Sequence, residues 1–154
     1  MTAILLLVLM AATGTATGYN LPQRTTASEN VCTDQMARQA FDDVDHLKDW
    51  AAVYHSFKKF AGCDDGGIAE GYSDAVAQLL AKHWNALPDL IRLTSSNRAF
   101  KSFVLYHVDA TDSYADLKAA DRNARLHCPS EAKGLCPAIR SRAEAAMKDI
   151  NDTD

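Results

Sequence analysis

The residues of this chain whose types could do chemistry gather in two polar clusters. Asp64, Asp65, Glu70, Ser73 and Asp74 form the first; His107, Asp109, Thr111, Asp112 and Ser113 form the second. Carboxylates in such groups accept hydrogen bonds, pair with basic groups or exchange protons, and a histidine beside them titrates near neutral pH. The same residue types cap helices and close turns, so each cluster also reads as a helix start with a solvated face. Loops at helix ends are, however, where binding residues concentrate. Of the five histidines, His83 and His107 fall on apolar faces, as core histidines satisfied by a hydrogen bond do; His46, His55 and His127 read as exposed. No two histidines stand four residues apart around a carboxylate, no Cys-x-x-Cys occurs, and Cys128 and Cys136 beside His127 do not have zinc-site spacing. Asp42, Asp43 and Asp45 suggest an EF-hand, but the glycine and closing glutamate of that loop are missing. CDDGG follows no strand and lacks the Lys-Ser/Thr of a phosphate cradle. No two carboxylates can be placed across a cleft from spacing alone, and nucleophile triads are recognised by geometry rather than order. The sequence therefore assigns no catalytic residue, no metal ligand and no cofactor.

What must position these clusters is helical. Ile68, Tyr72, Val76, Leu79, Leu80, His83, Trp84 and Leu87 recur at three- and four-residue steps, which predicts one long core helix within 63–87. Asp64 or Asp65 is its natural N-cap, and Pro88 is expected to stop it. Upstream, 28–41 reads as a helix with Val31, Met36, Ala40 and Phe41 inward and Ser28 or Asn30 as cap. The stretch 46–61 reads as the next, with Leu47, Trp50, Tyr54 and Phe57 on one face, Lys58 and Lys59 in the last turn, and Gly62 at C′. Downstream, PDLIRL predicts a short helix or single turn, and Ser95, Ser96 and Asn97 cap a helix over 98–107 through Phe100, Phe103, Val104 and His107. Ser113 to Asp116 resembles a capping box that opens 114–127, with Leu117, Ala120, Ala124 and Leu126 inward; Pro137 starts the last helix. FVLYHV has strand-forming residues, but its neighbours extend the helical spacing. The expected fold is one all-α domain of about six or seven short helices in successive antiparallel hairpins.

With 154 residues, 47% hydrophobic, and a net charge of −4, the chain suits a single domain without the basic surface that nucleic acid requires. Residues 1–18 read as a signal peptide, with an apolar run over 3–12 and a cleavage site at Ala16-Thr17-Gly18, although no Lys or Arg precedes the run. Residues 19–28 read as a flexible lead-in, 29–150 as the helical domain and 151–154 as a disordered tail. The expected location is periplasmic or secreted, with no membrane contact after signal cleavage. The four cysteines, Cys32, Cys63, Cys128 and Cys136, favour two disulfides in an exported chain. If the helix after Cys32 turns back and the next ends near Cys63, those two meet at the open end of a hairpin; Cys128 and Cys136 flank a short loop and pair.

Two passages carry a resemblance. GIAEGYSDAVAQLLAKHWNALPDLIRL, with its Gly-Tyr step near the start, is similar to the long helix of the small periplasmic immunity proteins that block type VI secretion amidase effectors. FKSFVLYHVDATDSYADLKAADRNA resembles a helix of the same family, ending in a short Asp-containing loop before the next helix. The resemblance spans 67–124. It implies an all-α fold, a periplasmic location, dimer formation, and inhibition of a cognate amidase toxin by plugging its groove, with no catalysis by this chain. For an inhibitor, a short segment held between two capped helices makes the plug. The expected contacts are Asp109, Thr111, Asp112, Ser113 and Tyr114, helped by Asp64, Asp65, Glu70 and Asp74 at the acidic front of the central helix. The other reading is a small exported protein that binds a ligand or metal through its histidines and carboxylates.

Overall fold

The computed structural model describes residues 31–153, and among these it contains seven α-helices and no strand. The expected signal peptide, the lead-in and the caps at Ser28 or Asn30 lie outside the described residues. Five of the helices begin where a short polar side chain takes up a free amide. Thr33 accepts from the Met36 amide at 3.2 Å to start α1 (Asp34–Val44), and Asp49 accepts from Ala52 at 2.8 Å to start α2 (Trp50–Phe60). A 3-10 turn, Ala61–Cys63, leads to α3 (Gly66–Lys82), capped by Asp65. A second such turn, Trp84–Ala86, leads to α4 (Leu87–Ser96), and α5 (Arg98–Tyr106) starts at Asn97, which accepts from Phe100 at 3.0 Å. Ser113 opens α6 (Tyr114–Leu126), and α7 (Cys136–Thr153) closes the chain.

The helix boundaries differ from expectation in ways that have physical reasons. α3 stops at Lys82, and Pro88 does not end it; Pro88 sits in the first turn of α4, where an amide hydrogen is not needed. The stretch PDLIRL is thus part of a ten-residue helix. Ser95 and Ser96 lie inside α4 and donate back to the Ile91 and Leu93 carbonyls, so Asn97 alone caps α5. Gly62 belongs to the 3-10 turn, and the left-handed glycine is Gly66, with φ of 53°. α7 runs on to Thr153, so 151–153 are helical rather than disordered. Val31, Phe41 and Leu126, expected inside, are exposed, and so is His83.

The core is organised by α3, which packs against α1, α2 and α6. Tyr72, Val76 and Leu80 are fully buried along it, and the Tyr72 hydroxyl lies 2.8 Å from the equally buried Ser56 hydroxyl of α2. At Gly71 the helices meet so closely that an added Cβ would stand 2.7 Å from Val44 Cβ. Between α2 and α5 an aromatic layer forms, with Tyr54 edge-on to Phe100 and Phe57 tilted on Phe103, each at 4.9 Å; Phe103 meets Tyr72 edge-on. α6 and α7 pack along small residues, Ala120, Ala124, Ala143 and Ala146, beside Leu117 and Ile139. Asn123 of α6 donates to the Leu80 and Ala81 carbonyls at the end of α3, and the Trp84 indole N–H donates to the His127 carbonyl at 3.1 Å. The disulfides are Cys32–Cys63, which ties the lead into α1 to the turn before α3, and Cys128–Cys136, which closes the α6–α7 connection. Two disulfides fit an oxidising compartment. Among the described residues no helix is long and apolar enough to cross a membrane.

Candidate functional site

The two polar clusters of the sequence come together where the front of α3 meets the end of α5. Ser73 projects from α3; His107 follows the last residue of α5; Asp64 lies in the turn between the first disulfide and α3. His107 has no exposed surface and sits against the rings of Phe103 at 4.3 Å and Tyr72 at 5.4 Å. Ser73, also buried, donates its hydroxyl proton to Asp109 Oδ2 at 3.0 Å. Its lone pairs therefore face His107 Nδ1 at 3.1 Å, and that nitrogen donates to it. The other ring nitrogen, Nε2, faces Asp64 Oδ2 at 3.2 Å.

The loop 107–113 is built outward from this buried base. Asp109 Oδ1 accepts from the Thr111 amide at 2.8 Å and the Thr111 hydroxyl at 2.6 Å. The Asp109 amide donates to Asp112 Oδ2, and the Asp112 amide returns a bond to the Asp109 carbonyl, each at 3.2 Å. Ser113 then accepts from the Asp116 amide at 3.1 Å to start α6. Asp116, the capping-box position, turns instead to Lys82 Nζ of α3 at 3.1 Å.

The two loop carboxylates have opposite electrostatics. Burial pushes Asp109 up, but the Thr111 hydroxyl and amide, the Ser73 hydroxyl and the His107 ring outweigh it and hold the acid below its ordinary value. Burial dominates at Asp112 and pushes it up to about 8; the Asp109 amide opposes the rise, and the carboxylates of Asp109, Asp74 and Asp116 reinforce it. Asp112 Oδ1 and Asp64 Oδ1 are buried without a hydrogen-bond partner.

Ser73, His107 and Asp64 follow the connectivity of a nucleophile triad. The chemistry does not follow from it. Ser73 is 2% exposed and His107 0%, so no substrate atom reaches the hydroxyl, whose proton is already committed to Asp109. The network ties the loop to α3 and to the turn held by the first disulfide. Among the described residues, no group of three or more His, Cys, Asp or Glu is placed to hold a metal ion.

The expected site residues divide into those that hold the loop and those that it displays. Asp64 and Asp109 join the buried base; Asp112, 7% exposed, faces inward and cannot offer its carboxylate to a partner. Asp65 caps α3, while Glu70 and Asp74 are exposed on it, Asp74 accepting from Gln78 at 2.7 Å. Thr111, Ser113 and Tyr114 are exposed. Tyr106, unremarked in the sequence, is exposed just before the loop. Its only signal was a large aromatic off the face shared by Phe100, Phe103, Val104 and His107. On the other side of α3, Asp45, Lys48, Asp74, Gln78 and His83 line a recess of about 210 Å³. In comparisons with known proteins, no family model, no curated protein and no solved structure matches this chain.

Proposed function

We propose that this chain is an exported inhibitory binding protein of the periplasm, which blocks a peptidoglycan amidase effector of type VI secretion by inserting the loop 107–113 into its groove. The observation that carries the reading is the locked base of that loop. Ser73, His107 and Asp109 hold it from below, so it loses little conformational freedom on binding. What it presents is Thr111 and Ser113, with Tyr106 and Tyr114 at its two ends. Tyrosine supplies the large, rigid, amphipathic contact enriched at binding hot spots. Asp109 and Asp112 act as supports of the loop, and the exposed Glu70 and Asp74 extend the surface along α3. The disulfides support export, and the resemblance over 67–124 supports the partner class and a dimer.

The test is protection by co-expression with a type VI secretion peptidoglycan amidase, sought first in the neighbouring gene, together with the affinity of the purified pair. Tyr106→Ala with Tyr114→Ala, and separately Thr111→Arg, alter only exposed side chains and leave the helical circular dichroism unchanged. Each is expected to weaken inhibition at least tenfold. Folded variants that protect with unchanged affinity would remove the loop from the contact. A second reading, a small exported ligand-binding protein, is favoured by the recess of about 210 Å³ with its mixed charges. Calorimetry with zinc, copper, calcium and free amino acids distinguishes the two: a stoichiometric heat with any of them, and no affinity for the amidase, selects the second.

A further inference from the structure

The turn between α6 and α7 encloses a second recess, of about 290 Å³, away from the loop 107–113. Arg125, Lys133 and Arg140 line it, together with Ser130, and no carboxylate does. In a chain of net charge −4 this is a local reversal of sign. The two guanidinium groups are fixed by one carboxylate. Asp121, 7% exposed, takes Arg125 Nη2 on Oδ2 and Arg140 Nε on Oδ1, both at 3.2 Å. Glu144 holds Arg140 Nη2 at 3.0 Å. These bonds leave further N–H groups on each arginine, because a guanidinium carries five donors. Lys133 makes no ion pair among the described residues, and its loop is held by the Cys128–Cys136 bond and by the Leu135 amide on the Ala132 carbonyl at 2.8 Å.

We propose that this recess binds an oxyanion of the phosphate class, as free phosphate or as the phosphate of a lipid headgroup. The cations that line the recess come from three separate elements, α6, the connecting loop and α7. That suits a tetrahedral group with several oxygens better than a planar carboxylate with two. Arginine presents the fork that phosphate oxygens accept, and Asp121 has already oriented two such forks. All three ionisable side chains that line the recess are cations, while Asp121 and Glu144 pair with the guanidinium groups from outside its lining. Because the groups are partly exposed, binding weakens with added salt.

The test titrates inorganic phosphate into the mature chain at low ionic strength, following backbone amide resonances, with acetate at equal ionic strength as control. Phosphate is expected to shift amides within 125–140 in a saturable way, and acetate to bind at least tenfold more weakly. Arg125→Gln with Lys133→Ala leaves Arg140 on Asp121 and is expected to weaken phosphate binding at least tenfold without changing the melting temperature. A second arm measures co-sedimentation with phosphatidylglycerol vesicles. Vesicle binding that phosphate competes away assigns the headgroup as the source; phosphate binding without vesicle binding assigns the free ion. The proposal is overturned by any of three results: no saturable shift within 125–140, a double variant that binds phosphate like the parent, or vesicle binding that phosphate does not displace.

Discussion

The α3–α5 junction and the α6–α7 turn use charge in opposite ways. At the junction, Asp64, Ser73, His107, Asp109 and Asp112 bond to one another around the buried Ser73 and His107, with one oxygen each of Asp64 and Asp112 left without a partner. At the turn, Arg125 and Arg140 share Asp121 but keep their outer faces in solvent, and Lys133 is free of ion pairs among the described residues. Each region is stapled by one disulfide. The difference is between polar groups that build a shape and polar groups that stay available. A buried group that loses its partner keeps the whole desolvation penalty, whereas an exposed cation that is removed leaves only better-hydrated neighbours.

The largest effects should come from the staples and scale with the loop each closes. Replacing Cys32 and Cys63 by serine frees a sequence separation of 31 residues and is expected to lower stability by about 3–4 kcal/mol; the same change at Cys128 and Cys136, a separation of 8, by about 2.5 kcal/mol. Urea denaturation of the two double variants measures the ranking. Equal losses would mean that native contacts around the bonds, rather than loop length, set their value.

His107→Leu keeps the volume of the side chain and removes both ring nitrogens. It leaves Asp64 Oδ2 without its partner and takes from the Ser73 oxygen its donor, while the Ser73 hydroxyl stays on Asp109, and should cost about 3 kcal/mol. Amide exchange should accelerate in 107–113 before it does in α6 or α7. A variant as stable as the parent would reduce the junction to ordinary apolar packing.

Asp112 gives the same region a pH signature. Its acid is raised to about 8 in the folded chain, against about 4 in an unfolded one, so between these values the folded state holds a proton that the unfolded state has lost. The stability contributed by this group is complete below pH 4 and falls as pH rises to about 8. Asp109, held below its ordinary value, acts in the opposite sense and in a separate window: its contribution is present above pH 4 and is lost in stronger acid. Asp112→Asn should therefore flatten the decline in the urea midpoint between pH 5 and pH 8 and raise stability at pH 8. An unchanged slope would place the titration in another group.

The smallest effect is expected at the turn. Arg125, about half exposed, can become Gln with a loss of under about 0.5 kcal/mol, since Arg140 remains on Asp121. A loss near that of His107→Leu would erase the contrast between the two regions.

Much of this was legible in the sequence. Helical periodicity gave the all-α class and six or seven helices in order, the return of the chain on itself gave Cys32–Cys63, and the short loop between Cys128 and Cys136 gave the second bond. The polar clusters were visible as lists of residues. Their meeting was not, because it depends on α3 and α5 crossing at Ser73 and His107, which are 34 residues apart. The end of α3 was misplaced for a related reason. Asn123, from α6, satisfies the carbonyls of Leu80 and Ala81, so the helix can stop before Pro88 without any local signal. Asp112 was expected outside because a loop aspartate usually is; its burial depends on how the loop packs on the rest of the fold, which spacing does not show. Tyr106 went unremarked because periodicity finds the inward face and is silent about what faces out.

The bond from Trp84 to the His127 carbonyl has a spectroscopic consequence. The chain has two tryptophans; Trp50 is sealed at the start of α2, while Trp84 is half-buried and anchored next to Cys128. Their indoles differ in polarity of surroundings, so emission should resolve into a blue component from Trp50 and a redder, quencher-accessible one from Trp84. Anything that loosens the connection between α6 and α7 acts on the second alone, which gives the molecule a built-in optical gauge of that end, independent of the signal from its core.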